Sequence, residues 1–137
     1  MIEYLSPYVL DTDTISFLMR GNVGVLEGMR QATLEKATIF LCPVVWFEVR
    51  RGFLHRAARR QLHVFERFAS ALEWRDVDGS FWNDLSAAWA DLRRKGRSVQ
   101  DSDLMIAVFA RRLGAAVVTH NTSHFDLTGV PTVDWYR

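Results

Sequence analysis

The sequence predicts an α/β protein with a mostly parallel central sheet of about five strands, flanked by helices on both faces. Short apolar runs that suit strands alternate with longer segments of helical periodicity, and parallel strands need such helical crossovers. The chain has 137 residues, of which 49% are hydrophobic and 24% are charged. This size and composition predict one globular domain, residues 1–137, with a sizeable core.

The first half of the chain alternates strand and helix. The apolar run Tyr8–Leu10 predicts a strand, and ISFLMRG after it predicts a helix that ends at Gly21. Asn22 can cap a second helix, VGVLEGMRQATLE, although its glycines lower the helix propensity. The β-rich run Ala37–Leu41 predicts a second strand. Pro43 then suits the first turn of a helix through VVWFEVRRGF.

The second half continues this alternation. Residues 55–72 have a helical pattern, and Trp74–Asp78 is a weakly alternating strand candidate. Ser80 is expected to cap the helix FWNDLSAAWADLRRK, and Asp101 is expected to cap the helix within SVQDSDLMIAVFARRLGAA. Two further strand candidates complete the predicted sheet: Ala115–His120 and Thr132–Tyr136.

The composition excludes several classes of protein. Cys42 is the only cysteine, so an intrachain disulfide and a cysteine-based zinc cluster are excluded, and we expect a reducing compartment, the cytoplasm. The N-terminal MIEYLSPYVLD lacks the pattern of a signal peptide, and no apolar run is long enough to span a membrane. The net charge of +1 excludes a uniformly basic nucleic-acid-binding protein.

Basic residues nevertheless cluster in one tract between positions 50 and 67. Such a tract either binds phosphates or forms a solvated helix face whose arginines cover apolar neighbours. The sequence leaves both interpretations open. The candidate phosphate-binding residues, which would contact RNA if the ligand is a nucleic acid, are Arg50, Arg51, Arg56, Arg59 and Arg60.

Asp11 follows the first predicted strand directly. Ligands of open α/β sheets bind beyond the C-terminal ends of the strands, so this carboxylate is placed at a candidate site. Asp13 or Thr14 could cap the next helix, and we expect Asp13 to do so. Asp11 would then be left for a ligand.

Glu48 lies in a very apolar helical segment. It follows Val44 by four residues and Val45 by three, so it shares their stripe of the helix. A buried carboxylate without a partner is strongly unfavourable, or its pKa rises until the group is neutral. Arg50 or Arg51 could supply the partner, and so could a metal ion.

Asp101 and Asp103 lie two positions apart at the start of a predicted helix. Asp101 has the position of an N-cap, which contributes about 1 kcal/mol. Asp103 precedes Ile106 and Ala107 by three and four residues, so it extends the apolar face of the helix. The helix dipole favours an anion there by about 0.3–1 kcal/mol. Asp103 is therefore the candidate for chemistry.

Asp11, Glu48 and Asp103 thus each lie at the margin of an apolar face. Carboxylate oxygens suit Mg²⁺ or Mn²⁺, which keep several waters and need few protein ligands. Such ions activate a water and stabilise the oxyanions of a displacement at phosphorus. If they converge, these three residues are both metal ligands and catalytic residues.

Four motifs resemble, in order and spacing, those of PIN-domain ribonuclease toxins of the VapC family. They are YVLDTDTISFLM, VVWFEVRRG, SDLMIAVFARRLGAAVVTHNTSHF and GVPTVDWY. The resemblance spans nearly the whole chain and implies a PIN-like fold. It also implies that Asp11, Glu48 and Asp103 are the acidic metal-site residues.

The resemblance further implies supporting roles for Asp13, Thr119 and Asn121, which match segments around the family's site. At the family's fourth acidic position, before Phe125, this sequence has His124, with Asp126 after the phenylalanine. His124 and Asp126 are therefore both candidates for that position.

The function that the resemblance implies is that of a Mg²⁺-dependent endoribonuclease, often acting on tRNA, as the toxin of a toxin–antitoxin pair. A VapB-like antitoxin would inhibit it and would bind operator DNA, so that the toxin contacts DNA only indirectly. A homodimer is expected, and a membrane partner is not.

Three alternatives remain from the sequence alone. The first is a catalytically silent PIN-like binding module, which the histidine at position 124 suggests. The second is an aspartate-based phosphatase, because VLDTDT approximates its D-x-D-x-T motif with Thr14 one place early. The third is a phospho-acceptor receiver domain, although VVTHNTSH lacks the lysine such a domain needs after its last strand.

Overall fold

The central sheet has five strands, all parallel, in the order β3-β2-β1-β4-β5. The computed structural model describes residues 7–137, so the part of the signal-peptide expectation that concerns residues 1–6 lies outside it. The mostly parallel α/β architecture is confirmed. The strands are β1 (Tyr8–Leu10), β2 (Ile39–Leu41), β3 (Glu73–Trp74), β4 (Ala116–Val118) and β5 (Thr132–Val133).

Seven helices connect and cover these strands. Between residues 7 and 137, no helix combines the length and apolar character that crossing a bilayer requires. A 3₁₀ turn, Asp126–Thr128, follows the last helix. The helices are α1 (Thr12–Met19), α2 (Val23–Leu34), α3 (Pro43–His55), α4 (Arg59–Ala69), α5 (Gly79–Arg94), α6 (Asp101–Arg112) and α7 (Thr122–Phe125).

Strands β1 and β4 form the middle of the sheet and place the functional edge. Leu10 is in register with Val118, and both are buried, as expected for a central parallel strand pair. Beyond this pair, the Asp11 amide donates a 3.1 Å hydrogen bond to the Val118 carbonyl. The buried Thr14 hydroxyl donates to the same oxygen at 2.8 Å. The start of α1 is therefore fixed at the C-terminal ends of both strands.

The cap of α1 is Asp11, so the prediction that Asp13 caps this helix was wrong. Asp11 has the extended backbone that an N-cap needs, with φ −77° and ψ 171°, and its Oδ1 accepts from the Thr14 amide at 2.8 Å. The helix therefore begins earlier than its apolar stripe suggests. Capping and a role in the site are compatible, because a carboxylate has two oxygens and one remains available.

Two other predicted caps were also wrong. Asp78, with φ −121° and ψ −174°, caps α5 by accepting from the Phe81 amide, and the Ser80 hydroxyl donates to the same carboxylate at 2.6 Å. At α6 the N-cap is Gln100, without a side-chain hydrogen bond, and Asp101 is the first helical residue. In each case several neighbouring polar residues could cap the helix. The N-cap is the one whose backbone is still non-helical just before the first turn.

The helix predicted for residues 55–72 is interrupted at its start. Helix α3 ends at His55, and Ala57 has a positive φ of 53° before α4 begins at Arg59. Neither glycine nor proline marks this break, so the sequence did not reveal it. Strands β2, β4 and β5 are shorter than predicted, and β3 was predicted too late in the chain, because it begins at Glu73 and ends at Trp74.

The glycines of α2, which lower its helix propensity, let the C-terminal segment pack closely. A Cβ on Gly28 would lie 2.3 Å from Cδ2 of Trp135, and one on Gly24 would lie 2.1 Å from the Trp135 carbonyl oxygen. Trp135 in turn contacts Tyr8 of β1 edge to face, with 5.2 Å between ring centroids. The two glycines thus allow the chain end to cover the central strand.

Candidate functional site

The C-terminal ends of the strands border a cleft of about 170 Å³. It contains the three carboxylates that the sequence singled out, together with Asp13. Ile106 and Phe125 supply apolar walls. The residues around the cleft are Asp11, Thr12, Asp13, Glu48, Gln100, Ser102, Asp103, Ile106, Asn121, His124 and Phe125.

Asp11 is the most buried of these carboxylates, with 5% of its surface exposed. Burial raises the pKa of its carboxyl group, and hydrogen bonding with Thr119 and Thr14 opposes the rise. The negative charge of Asp13 raises the pKa further. A nearby cation would stabilise the ionised carboxylate against both the cost of burial and the repulsion from Asp13.

Glu48 enters the cleft from α3 and is held from two sides. The Thr12 hydroxyl donates a 3.0 Å hydrogen bond to its Oε1, and Nη2 of Arg51 lies 3.7 Å from its Oε2. Of the two arginines that could have paired with it, Arg51 therefore does so, whereas Arg50 lies 3.5 Å from Glu66. Arg51 is mostly exposed, which makes this ion pair weak.

Asp103 enters the cleft from the first turn of α6 and is largely buried. Burial raises the pKa of its carboxyl group; the His124 ring, with Nδ1 3.6 Å from Oδ2, lowers it. The charges of Asp11, Glu48 and Asp13 each raise it again. The four carboxylates therefore lie close enough to repel one another.

Asp13 is tied to the segment after β4. Nδ2 of Asn121 donates a 2.6 Å hydrogen bond to Oδ2 of Asp13. The Asn121 amide donates in turn to Oγ1 of the buried Thr119, at 2.9 Å. The three residues that the resemblance assigned to support thus form one chain of contacts, which joins α1 to the end of β4.

The donor set fits a hydrated divalent cation. Among the residues that the structure describes, Arg51 is the only lysine or arginine with a side-chain nitrogen within 4.0 Å of any of the four carboxylates. An excess of negative charge therefore faces the cleft. In the same part of the chain, no three Asp, Glu, His or Cys side chains converge closely enough to hold an ion directly. An ion here would keep waters in its coordination shell, as Mg²⁺ usually does.

Of the two candidates for the fourth position, only His124 borders the cleft. Asp126 lies in the 3₁₀ turn and borders a different groove, between α5 and α6. Consecutive residues of a helical turn face different sides, so Asp126 points away from the cleft that Phe125 borders. Three polar residues of the cleft were missed as site residues by sequence reasoning: Thr12, Gln100 and Ser102. Their proximity to Asp11 and Asp103 in the sequence was the available signal.

The basic tract is divided among several surroundings. The Arg51 guanidinium lies 4.9 Å from the centroid of Phe47, and that of Arg56 lies 5.3 Å from the centroid of Phe53. Arg59 and Arg60 are exposed at the start of α4. Neither takes part in an ion pair within residues 7–137.

Comparison with known proteins agrees with this fold. A model of the PIN domain matches residues 8–130. The tRNA(fMet)-specific endonuclease VapC of Salmonella typhimurium is 31% identical over 131 residues, which is 93% of this chain and 97% of that protein. The protein of the same name from Shigella flexneri is 29% identical over 130 residues, again 93% and 97% of the two chains.

A solved structure extends the similarity to three dimensions. The crystal structure of DNA-bound VapBC from Salmonella typhimurium contains a chain with 30% identity and a TM-score of 0.84, covering 96% of this chain and 99% of that one. The sequence similarity and the structural similarity therefore point to the same family. The chain belongs to the PIN-domain family and, within it, to the VapC endoribonuclease toxins.

Proposed function

We propose that this protein hydrolyses phosphodiester bonds of RNA with Mg²⁺, or Mn²⁺, held by Asp11, Glu48 and Asp103 together with coordinated waters. The observation that carries the proposal is the meeting of these three side chains, from the N-cap of α1, from α3 and from α6, in one cleft with excess negative charge. Carboxylates in such a group are unfavourable without a cation. They become an advantage when a divalent ion binds a phosphate.

The chain's own residues orient this site. When bound, the ion would polarise the phosphodiester and lower the pKa of a bound water. Thr12 fixes one oxygen of Glu48, and the Thr14 amide fixes one oxygen of Asp11. The Asn121–Asp13 hydrogen bond closes the cleft on the β4 side. Ile106 and Phe125 limit the entry of bulk water.

The proposed substrate class is tRNA, as the names of both curated relatives state for those proteins. Arg59 and Arg60 support an RNA-binding role, because they are exposed and make no ion pair with a described residue. Arg50, Arg51 and Arg56 would add positive charge beside them. Because the proposed substrate is tRNA, we propose a cytoplasmic location for the protein.

We propose a VapB-like antitoxin as the inhibiting partner. The solved relative is a VapBC complex bound to DNA, which supports contact with operator DNA through the antitoxin. On α3, Phe47, Arg51 and Leu54 form an exposed stripe with the spacing i, i+4, i+7, next to Glu48. An amphipathic segment of the antitoxin could cover this stripe and the cleft together. We also propose that two copies of this chain form a homodimer.

The silent binding module is the second candidate, and the observation that favours it is His124 in place of the usual fourth acid. An exposed His124 beside Asp103 would weaken a second metal position. Membership in the PIN-domain family leaves the phosphatase and receiver-domain alternatives without support.

Cleavage of bulk tRNA by the purified chain, with Mg²⁺ and with EDTA, tests the proposal. We expect cleavage that requires the metal and that Asp11→Asn and Glu48→Gln reduce by about hundredfold or more. Glu27→Gln, on the exposed surface of α2, is the matched control and should cleave normally. Cleavage that persists in EDTA, or its absence from the folded wild type with either ion, would overturn the proposal.

A further inference from the structure

Three aromatic side chains meet on the surface beside the acidic cleft: Phe17 of α1, His120 after β4 and Tyr136 after β5. The rings of His120 and Tyr136 stack with centroids 4.1 Å apart and an angle of 28°. Phe17 lies 4.7 Å from Tyr136 and 5.7 Å from His120. The cluster joins residues that are far apart in the sequence.

Asp134 fixes the stacked pair. Its Oδ2 lies 3.0 Å from Nδ1 of His120, and its Oδ1 accepts a 2.9 Å hydrogen bond from the Tyr136 amide. Because a carboxylate only accepts, Nδ1 of His120 is the donor. The two rings are therefore held face to face before any ligand arrives.

The cluster is adjacent to the proposed reaction centre. Phe17 follows Asp13 by one helical turn on the same face of α1, about 6 Å along the helix axis. His120 directly precedes Asn121, the partner of Asp13. The distance of about 6 Å from Asp13 to Phe17 along the helix axis is close to the spacing of one nucleotide along a single strand. A phosphate in the cleft would thus bring a neighbouring base to the rings.

The core does not account for these rings. The side chain of His120 is 43% exposed, and Tyr136 as a whole residue is 41% exposed. On the same face of α1, the exposed Arg20 guanidinium lies 5.2 Å from the Phe17 centroid. Exposed flat rings beside a positive charge are the combination that binds single-stranded nucleic acid, through stacking and phosphate contact.

We propose that Phe17, His120 and Tyr136 form a stacking platform for one base of the RNA substrate, next to the cleaved bond. This inference rests on the proposed ribonuclease function and adds a base-binding position to it. The platform contributes affinity and selects unpaired RNA, since a base must leave its helix to stack there. Asp134 is a positioning residue, which acts through the two rings it holds.

The first test uses binding without turnover. Full-length Asp103→Asn protein in Mg²⁺ is mixed with single-stranded oligoribonucleotides that carry 2-aminopurine at one position each. Stacking on the platform should quench the fluorescence at one position only. Adding Tyr136→Leu, which keeps the apolar bulk but loses the flat ring, should remove the quench and weaken binding about tenfold. Tyr136→Phe should retain both.

The second test uses cleavage by otherwise wild-type protein. His120→Ala and Tyr136→Leu should raise KM about tenfold while kcat changes less than about threefold. An abasic nucleotide at the quenched position should raise the KM of the wild type by the same factor of about ten. It should not raise the KM of the variants any further. Trp82→Leu is the control, because Trp82 is an equally exposed aromatic residue on α5.

Three results would overturn the platform. One is unchanged KM and quenching in folded Tyr136→Leu and His120→Ala. Another is equal effects in Trp82→Leu. The last is loss of antitoxin binding with RNA binding intact, which would make the rings a protein contact. If the wild type cleaves RNA in any of these cases, the proposed function survives and only the platform fails.

Discussion

Asn121 and Asp13, 108 residues apart in the sequence, are joined by a 2.6 Å hydrogen bond at the mouth of the acidic cleft. The bond runs from the segment after β4 to the first turn of α1. It fixes the start of α1, which carries Asp11 and Asp13, against the segment after β4, and it holds the Asp13 carboxylate in one orientation.

Loss of this bond should reduce catalysis without unfolding the protein. We expect Asn121→Ala and Asp13→Ala each to lower kcat/KM about tenfold to hundredfold, because small displacements of positioning groups are costly. The double variant should be little worse than either single one, since both remove the same bond. The measurement is the double-mutant cycle on kcat/KM, with the exposed Ser123→Ala as control. Fully additive losses would show that the two residues act separately.

Replacing Asp11 by Asn should stabilise the metal-free protein at neutral pH. The pKa of Asp11 is raised above its ordinary value of 3.8 by burial. Below pH 3.8 the group is protonated in both folded and unfolded chains, and there is no penalty. As the pH rises from 3.8 to the raised folded pKa, the carboxyl group loses its proton in the unfolded chain first, so stability falls until the group is ionised in both states. Asparagine keeps the helix cap without this charge.

Thermal unfolding in EDTA checks this expectation. The Tm of Asp11→Asn should exceed that of the wild type at pH 7, and the difference should shrink towards pH 3. Excess Mg²⁺ should raise the Tm of the wild type more than that of the variant, because an ion that binds only the folded state stabilises it. A variant that is less stable in EDTA at pH 7 would contradict the role of burial.

Two glycines in helices should respond oppositely to alanine. Gly28→Ala places a Cβ 2.3 Å from Cδ2 of Trp135, so we expect overpacking to lower the free energy of unfolding by about 1–3 kcal/mol. Gly52→Ala meets only the Arg56 side chain, at 3.5 Å, and should gain about 0.5–1 kcal/mol from helix propensity. Urea denaturation compares them. A stabilised Gly28→Ala would mean that Trp135 does not pack there.

Cys42 should be unreactive in the folded protein. Burial raises the pKa of its thiol to about 12, so almost no thiolate exists at pH 8. We expect iodoacetamide to label the native chain slowly and the urea-unfolded chain at the rate of a free thiol, as followed by mass spectrometry. Equal rates in both states would contradict the burial of this side chain.

The sequence predicted the parallel sheet because short apolar strands and amphipathic helices have different periods. It also predicted the three carboxylates that share the cleft, since each lay next to an apolar stripe. The helix caps at Asp11 and Asp78 were missed because neighbouring polar residues compete for the same role. The break at Ala57 was missed because no glycine or proline marks it.

Contacts between distant elements could not be predicted from the sequence. The Asn121–Asp13 bond depends on β4 lying beside β1, which is set by the strand order. The stack of His120 on Tyr136 depends likewise on β5 lying beside β4. Local patterns specify neither pairing. They do specify which residue of a helix faces the core, and hence which of two nearby acids enters the cleft.

Asp101 and Asp103 therefore test directly whether the acidic cleft is where RNA is cleaved. Both are acidic residues in the first turn of α6, but Asp101 is exposed, whereas Asp103 borders the cleft. The measurement is Mg²⁺-dependent RNA cleavage by folded Asp101→Asn and Asp103→Asn. We predict cleavage within about threefold of the wild type for the first variant and a loss of about hundredfold or more for the second. Equal losses in both variants, or full activity in Asp103→Asn, would show that the acidic cleft is not where RNA is cleaved.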